Sequence, residues 1–212
     1  MAIICPTVTA FNAHEYRSQM ELLETFARRI HIDLMDGKLA PTISPPLDSV
    51  WWPQQLVADI HLMYQEPGPY LQKLIELKPS LAIIHAEADV DHADFATQLR
   101  AAGIKAGLAL LQKTSADDVD PLLDNFDHVM IFSGNLGHHG GSAVDFSLLN
   151  KVAAIKRSHQ TIEIAWDGGV NDGNIARLAA GGVDVFGVGG FIHNAPDPQA
   201  AYAKLEAVIG TS

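Results

Sequence analysis

Cysteine, positive charge and long apolar runs are all scarce in this chain, and each shortage excludes something. A single cysteine, Cys5, rules out an intrachain disulfide framework. The 14 Lys and Arg residues are scattered and outnumbered by 25 Asp and Glu, for a net charge of −11. No basic stripe is present to neutralise a phosphate backbone, so nucleic acid is excluded as a partner. No apolar run reaches the length of a membrane span or resembles the core of a secretory signal, which sets the expectation of a cytoplasmic protein with no membrane partner. What is present is apolar material: 48% of 212 residues are hydrophobic and only 18% are charged. That suffices for one sizeable core, and no composition shift divides it, so residues 1–212 read as one domain.

Short β-branched runs alternate with stretches of helical period along this length. Strands are expected over 3–8, 30–34, 56–62, 81–85, 104–110, 128–132, 161–166 and 183–188, and helices over 16–28, 70–77, 91–102, 115–123, 148–158, 171–180 and 198–209. Thr114-Ser115 supplies an N-terminal cap, and Gly103, Gly181 and Gly182 follow helices where a left-handed cap is needed. Eight strand and helix alternations in this length predict an α/β fold, a compact (β/α)8 TIM barrel. Such barrels keep their chemistry at the C-terminal ends of the strands.

The candidate chemistry obeys that rule. In His31-Ile32-Asp33-Leu34-Met35-Asp36-Gly37, His31 and Asp33 are two apart and project to one face of a strand. His61 ends the third strand, His85 and Glu87 the fourth, and Asp167 the seventh. His31, Asp33, His61 and Asp167 are thus expected to converge as a metal site. Asp36-Gly37 reads as a turn, and Asp89 and Asp91 as caps. Gly168-Gly169 and Gly189-Gly190 follow adjacent strands where barrels hold phosphate, and the helix expected from Val170-Asn171 would add a favourable dipole. Gly140-Gly141 lies in a loop suited to closing over a substrate. His14, His92, His128, His159 and His193 show no ligand spacing and are expected at the surface. Trp51, Trp52 and Pro53 suit a subunit contact or a flap over the barrel mouth.

These residues resemble the ribulose-phosphate 3-epimerase family. The resemblance runs from about Pro6 to Ile192 and rests on HIDLMDG (31–37), DIHLM (59–63), HAEA (85–88), GLAL (107–110), GNLGHHGG (134–141), DGGV (167–170) and VDVFGVGGFI (183–192). It implies that one divalent ion (Zn, Fe, Mn or Co) is held by His31, Asp33, His61 and Asp167. It also implies that Asp33 and Asp167 are the acid/base pair of an epimerase acting on a small phosphorylated ketose. Thr7, His31, His61, Gly137, Gly140, Gly141, Gly168, Gly169, Gly189 and Gly190 are implied around the substrate, and a homo-oligomer is expected. His85 and Glu87 suit a role in orienting the metal ligands.

The surroundings depart from the family pattern. Thr7 keeps the hydroxyl of a family Ser, but Thr9-Ala10-Phe11-Asn12 replaces Leu-Ser-Ala-Asp. The loop at Leu136 to Ser142 gains a residue and two imidazoles, His138 and His139. Phe132 stands for a Met, Leu111-Gln112 for Asn-Pro, Thr42 for an Asn and Gly190 for a Ser. Two other readings compete with the epimerase: a barrel aldolase or decarboxylase, and a non-catalytic phosphosugar binder. The former needs a lysine in the site. Lys105 lies at the wrong end of its strand, leaving only Lys113.

Overall fold

The computed structural model describes residues 2–138 and 140–210. His139 lies outside the described residues. Eight parallel strands close in sequence order: β1 (Ile3–Thr9), β2 (Arg29–Met35), β3 (Val57–Met63), β4 (Leu81–His85), β5 (Lys105–Leu110), β6 (His128–Phe132), β7 (Glu163–Asp167) and β8 (Val185–Val188). Ile3 sits opposite Val185 where the first strand meets the last. Their near-continuous apolar sequence is what a sheet covered on both faces requires. The outward face packs Ile30, Ile32, Ile60, Ile84, Leu108 and Trp166 under the helices. The inward face is filled by Cys5, Leu81, Ile83, Ala109, Met130, Phe132, Ala165 and Val185.

The helices are α1 (Ala13–Leu23), α2 (Leu71–Leu77), α3 (His92–Ala101), α4 (Ala116–Val119), α5 (Leu149–Ser158), α6 (Ile175–Ala180), α7 (Gly190–His193) and α8 (Pro198–Gly210). Several ends differ from expectation, each for a local reason. Helix α1 begins earlier than residue 16 because the Asn12 side chain accepts from Glu15 N, and it ends at Leu23 rather than 28. Helix α6 begins at Ile175, not at 171. Asn171 and Asn174 are committed to the preceding turn, with Asn171 N donating to Asn174 Oδ1 and Asn174 Nδ2 to Gly169 O. The dipole expected at Val170-Asn171 is therefore not there. Residues 120–125 continue α4 as a 3-10 turn. The left-handed cap after α6 falls on Gly182, φ +97°, while Gly181 is right-handed at φ −77°. Helix α7, after β8, has no counterpart among the expected helices.

A polar cluster occupies the N-terminal end of the barrel interior. Arg29 Nε donates to Asp59 Oδ2 at 2.7 Å, and its fork spans Glu163 at 3.0 and 2.9 Å. His128 Nδ1 lies 2.7 Å from the same Glu163 carboxylate. His128 is therefore buried, at 1% exposure, and the expectation of a surface residue is corrected. Strand tilt explains it: in a staggered barrel the first residues of β6 and β7 still face inward. His92 and His193 are half-buried and bond the carbonyls of His85 and Thr7.

Candidate active site

The opposite end of the interior holds His31, Asp33, His61 and Asp167, each offering one ligand atom within 4.8 Å of the others. Parallel register builds this arrangement. Asp33 of β2 stands beside His61 of β3, and His31 is one inward position below Asp33. Phe132 of β6 pairs with Asp167 of β7, closing the far side. His61 Nδ1 is 2.9 Å from Asp33 Oδ1, while His31 Nε2 is 3.2 Å from that oxygen and 4.0 Å from Asp167 Oδ2. His31 Nε2 is buried with no hydrogen-bond partner. A nitrogen left bare between two carboxylates suits a shared cation, and two imidazoles with two carboxylates fit a divalent metal of the zinc, iron, manganese or cobalt type.

The two carboxyls have opposite proton affinities. Burial raises both, but the imidazoles of His31 and His61 hold Asp33 well below the ordinary range. Asp167 is pushed up by burial and by the charge of Asp33, which His31 offsets only in part. His31 is pushed up to about 9, because Asp33 and Asp167 overcome the effect of burial. Burial pulls His61 down to about 3, despite its bond to Asp33.

A cavity of 260 Å³ opens above this group. Thr7, Asp33, Asp167, Gly137, Gly140, Gly141, Gly168, Gly169, Gly189 and Gly190 all border it. His31 and His61 lie beneath its wall and do not line it. Two of the glycines are required by their neighbours. Gly168 has φ +110° and a Cβ there would lie 2.3 Å from Gly134 N; at Gly189 a Cβ would lie 2.7 Å from Thr7 Oγ1. The loop after β6 is fixed at one point, where Thr42 Oγ1 donates to Gly137 O at 2.7 Å, and Leu136 packs on Met35, Ala40 and Met63. His138 is exposed on the rim.

Thr9 was not among the expected site residues, although it lies two after Thr7 on the same face of β1. Its hydroxyl donates to Asp33 Oδ2 at 2.6 Å. The same strand parity that paired His31 with Asp33 could have found it. Asn171 and Asn194 also border the cavity. No lysine or arginine does among the described residues. Lys105 and Lys113 are exposed, and Lys151 is buried with Nζ bonded to the carbonyls of Leu111 and Gln112.

The model of the ribulose-phosphate 3-epimerase family matches residues 3–193. The chain belongs to the ribulose-phosphate 3-epimerase family. Its similar proteins include a ribulose-phosphate 3-epimerase of Mycobacterium tuberculosis (strain ATCC 25618 / H37Rv), 32% identical over 190 residues, covering 86% of this chain and 82% of that one. Another, from Helicobacter pylori (strain J99 / ATCC 700824), is 31% identical over 185 residues, covering 84% and 85%. The ribulose-phosphate 3-epimerase family consists of isomerases acting on carbohydrates. Among solved structures, KGPDC from Streptococcus mutans superposes with a TM-score of 0.77 at 11% identity, over 100% of this chain and 98% of that one. A 3-keto-L-gulonate-6-phosphate decarboxylase from Vibrio cholerae gives 0.74 at 9% identity, over 99% and 98%. At such identities these two speak for the barrel alone. No described helix is long and apolar enough to cross a membrane.

Proposed function

We propose that the protein is a metal-dependent 3-epimerase of a ketose phosphate, ribulose 5-phosphate and xylulose 5-phosphate or a related pair. The observation that carries this reading is the convergence of Asp33 and Asp167, from opposite sides of the barrel, beneath one cavity and beside two imidazoles. Epimerisation at a carbon next to a ketone needs removal of its proton from one face and return of a proton on the other. Two carboxyls of unequal proton affinity suit such a transfer. One carboxyl accepts the proton and the other donates, with the roles exchanged in the reverse direction. A divalent ion held by His31, Asp33, His61 and Asp167 would supply Lewis-acid stabilisation of the charge that develops on the substrate's adjacent oxygens.

The other residues orient the substrate and hold the carboxyls. Thr9 donates to Asp33 Oδ2 and fixes the plane of that carboxylate. With no cationic side chain bordering the cavity, the phosphate falls to backbone N–H groups of Gly168, Gly169, Gly189 and Gly190. Gly137, Gly140 and Gly141 form the wall that limits water above the sugar. An aldolase or decarboxylase using a lysine finds no amine there.

NMR of D-ribulose 5-phosphate in deuterated water, with metal-loaded protein, tests the reading. Deuterium entry at C3 together with xylulose 5-phosphate formation is expected. Metal binding without either, across a panel of ketose phosphates, would overturn it.

A further inference from the structure

Behind His61, away from the cavity, a line of hydrogen bonds runs to the loop after β4. Glu87 Oε1 accepts from Leu111 N at 3.1 Å and from the Thr114 hydroxyl. Its Oε2 lies 3.3 Å from His85 Nδ1. Burial raises the Glu87 carboxyl, but its bonds from His85 and Thr114 hold it below the ordinary range, so it is ionised. His85 Nε2 is 2.8 Å from His61 Nε2, and His61 Nδ1 is 2.9 Å from Asp33 Oδ1. His85 and His61 are both fully buried, so no solvent supplies an alternative partner.

The line runs between two carboxylates, Glu87 and Asp33, and two neutral imidazoles cannot donate to both, so its direction depends on which end a cation occupies. A carboxylate has no proton to give, so Glu87 meets His85 only if His85 Nδ1 carries the hydrogen. A neutral imidazole protonated at Nδ1 has its lone pair at Nε2. That lone pair faces His61 Nε2, which must then be the donor. His61, protonated at Nε2, has its own lone pair at Nδ1, facing the Asp33 carboxylate. Two lone pairs at 2.9 Å repel, and only a cation shared between them makes the contact favourable.

We propose that Glu87 and His85 are positioning residues that lock His61 in the tautomer with Nε2–H, which keeps Nδ1 open as a ready metal ligand. This rests on the reading of His31, Asp33, His61 and Asp167 as a metal centre. Partners of this kind fix ring orientation and raise ligand basicity, and their loss typically costs about 10–100-fold in metal affinity.

Glu87→Gln tests the direction of the line with little change of shape. Its amide oxygen can still accept from Leu111 and Thr114, while its NH2 now donates to His85 Nδ1. That reverses each bond and puts the proton on His61 Nδ1. In the Zn(II)-loaded wild type, long-range 1H–15N NMR of the imidazoles is expected to show His85 with Nδ1–H and His61 with Nε2–H. In metal-free Glu87→Gln His61 carries its hydrogen at Nδ1, and calorimetric affinity for Zn(II) and Mn(II) falls about 10–100-fold. Thr114→Val, which leaves Glu87 Oε2 on His85, keeps the wild-type tautomers and metal affinity.

A Zn(II)-loaded wild type in which His85 does not carry its hydrogen at Nδ1 overturns the proposal, and this measurement needs no variant to fold. So does a folded Glu87→Gln that binds Zn(II) and Mn(II) as tightly as wild type. If wild type binds metal tightly but the variant is unaffected, this inference alone fails. If wild type binds neither ion, the metal reading fails with it.

Discussion

The two ends of the barrel interior both gather histidine and carboxylate, yet they balance charge differently. At the N-terminal end Arg29 stands between Asp59 and Glu163 and meets Glu163 with both arms of its fork. At the C-terminal end Asp33 and Asp167 approach with no arginine or lysine among the groups lining the cavity above them, and His31 Nε2 has no hydrogen-bond partner. One end has its cation built into the chain. The other gathers four side chains that could hold a metal ion, and it is the end that opens to a cavity. Buried carboxylates at the first end thus have a fixed counter-charge, whereas the pair at the second lacks one from Arg or Lys among the described residues.

The sharpest way to separate the ends is to neutralise one carboxyl at the open end. Asp33→Asn or Asp167→Asn is expected to lower kcat by about 10²–10⁴-fold, the range of general acid–base contributions. The circular dichroism spectrum should stay that of the wild type. Asp167→Asn should leave the melting temperature of the metal-free protein unchanged or higher, because it replaces a carboxyl whose ionisation burial and Asp33 disfavour. Normal turnover in a folded variant would remove the acid/base pair.

At the closed end the effect should reverse, touching stability rather than chemistry. Arg29→Met leaves Asp59 and Glu163 without their cation, which costs about 3–5 kcal/mol. For a chain of this size that lowers the melting temperature by about 10 °C. An unchanged thermal scan would show the fork to be idle.

Acid distinguishes the ends next. Burial raises the Glu163 carboxyl, but His128 and Arg29 outweigh it and hold it well below the ordinary range. Its stabilisation is complete above the unfolded value of about 4.3. It is lost as pH falls from there toward the lower folded value. Glu163→Gln should flatten the fall of melting temperature below about pH 4; a slope equal to wild type would place the acid sensitivity elsewhere.

The smallest expected effect lies at Thr9. Thr9→Val removes the donor to Asp33 Oδ2, and loss of a hydrogen bond to a charged group predicts about a tenfold fall in kcat with KM little changed. A rise in KM alone would make Thr9 a substrate contact instead of a support for Asp33.

The barrel was legible in the sequence because its strands are apolar runs bounded by punctuation. Leu81–His85 and His128–Phe132 fall where the pattern put them. Segment ends set by side-chain bonds were less legible, as with the Asn171 and Asn174 turn that delays α6. The convergence of His31, Asp33, His61 and Asp167 could be read from strand parity and the position of strand ends. The closed end could not, because a polar residue opening a strand reads as rim until the stagger of the whole barrel turns Arg29, His128 and Glu163 inward. Nor could Thr9 be ranked above any other threonine before its hydroxyl was seen on Asp33.

Because β1 hydrogen-bonds to β8, with Ile3 opposite Val185, the first strand of the barrel waits during synthesis for the last. At translation rates of about 5–20 residues per second, that edge stays unpaired for roughly 10–40 s. An open strand edge is a template for another chain. The interval before closure is thus when the nascent protein is most exposed to misassembly and most in need of a chaperone.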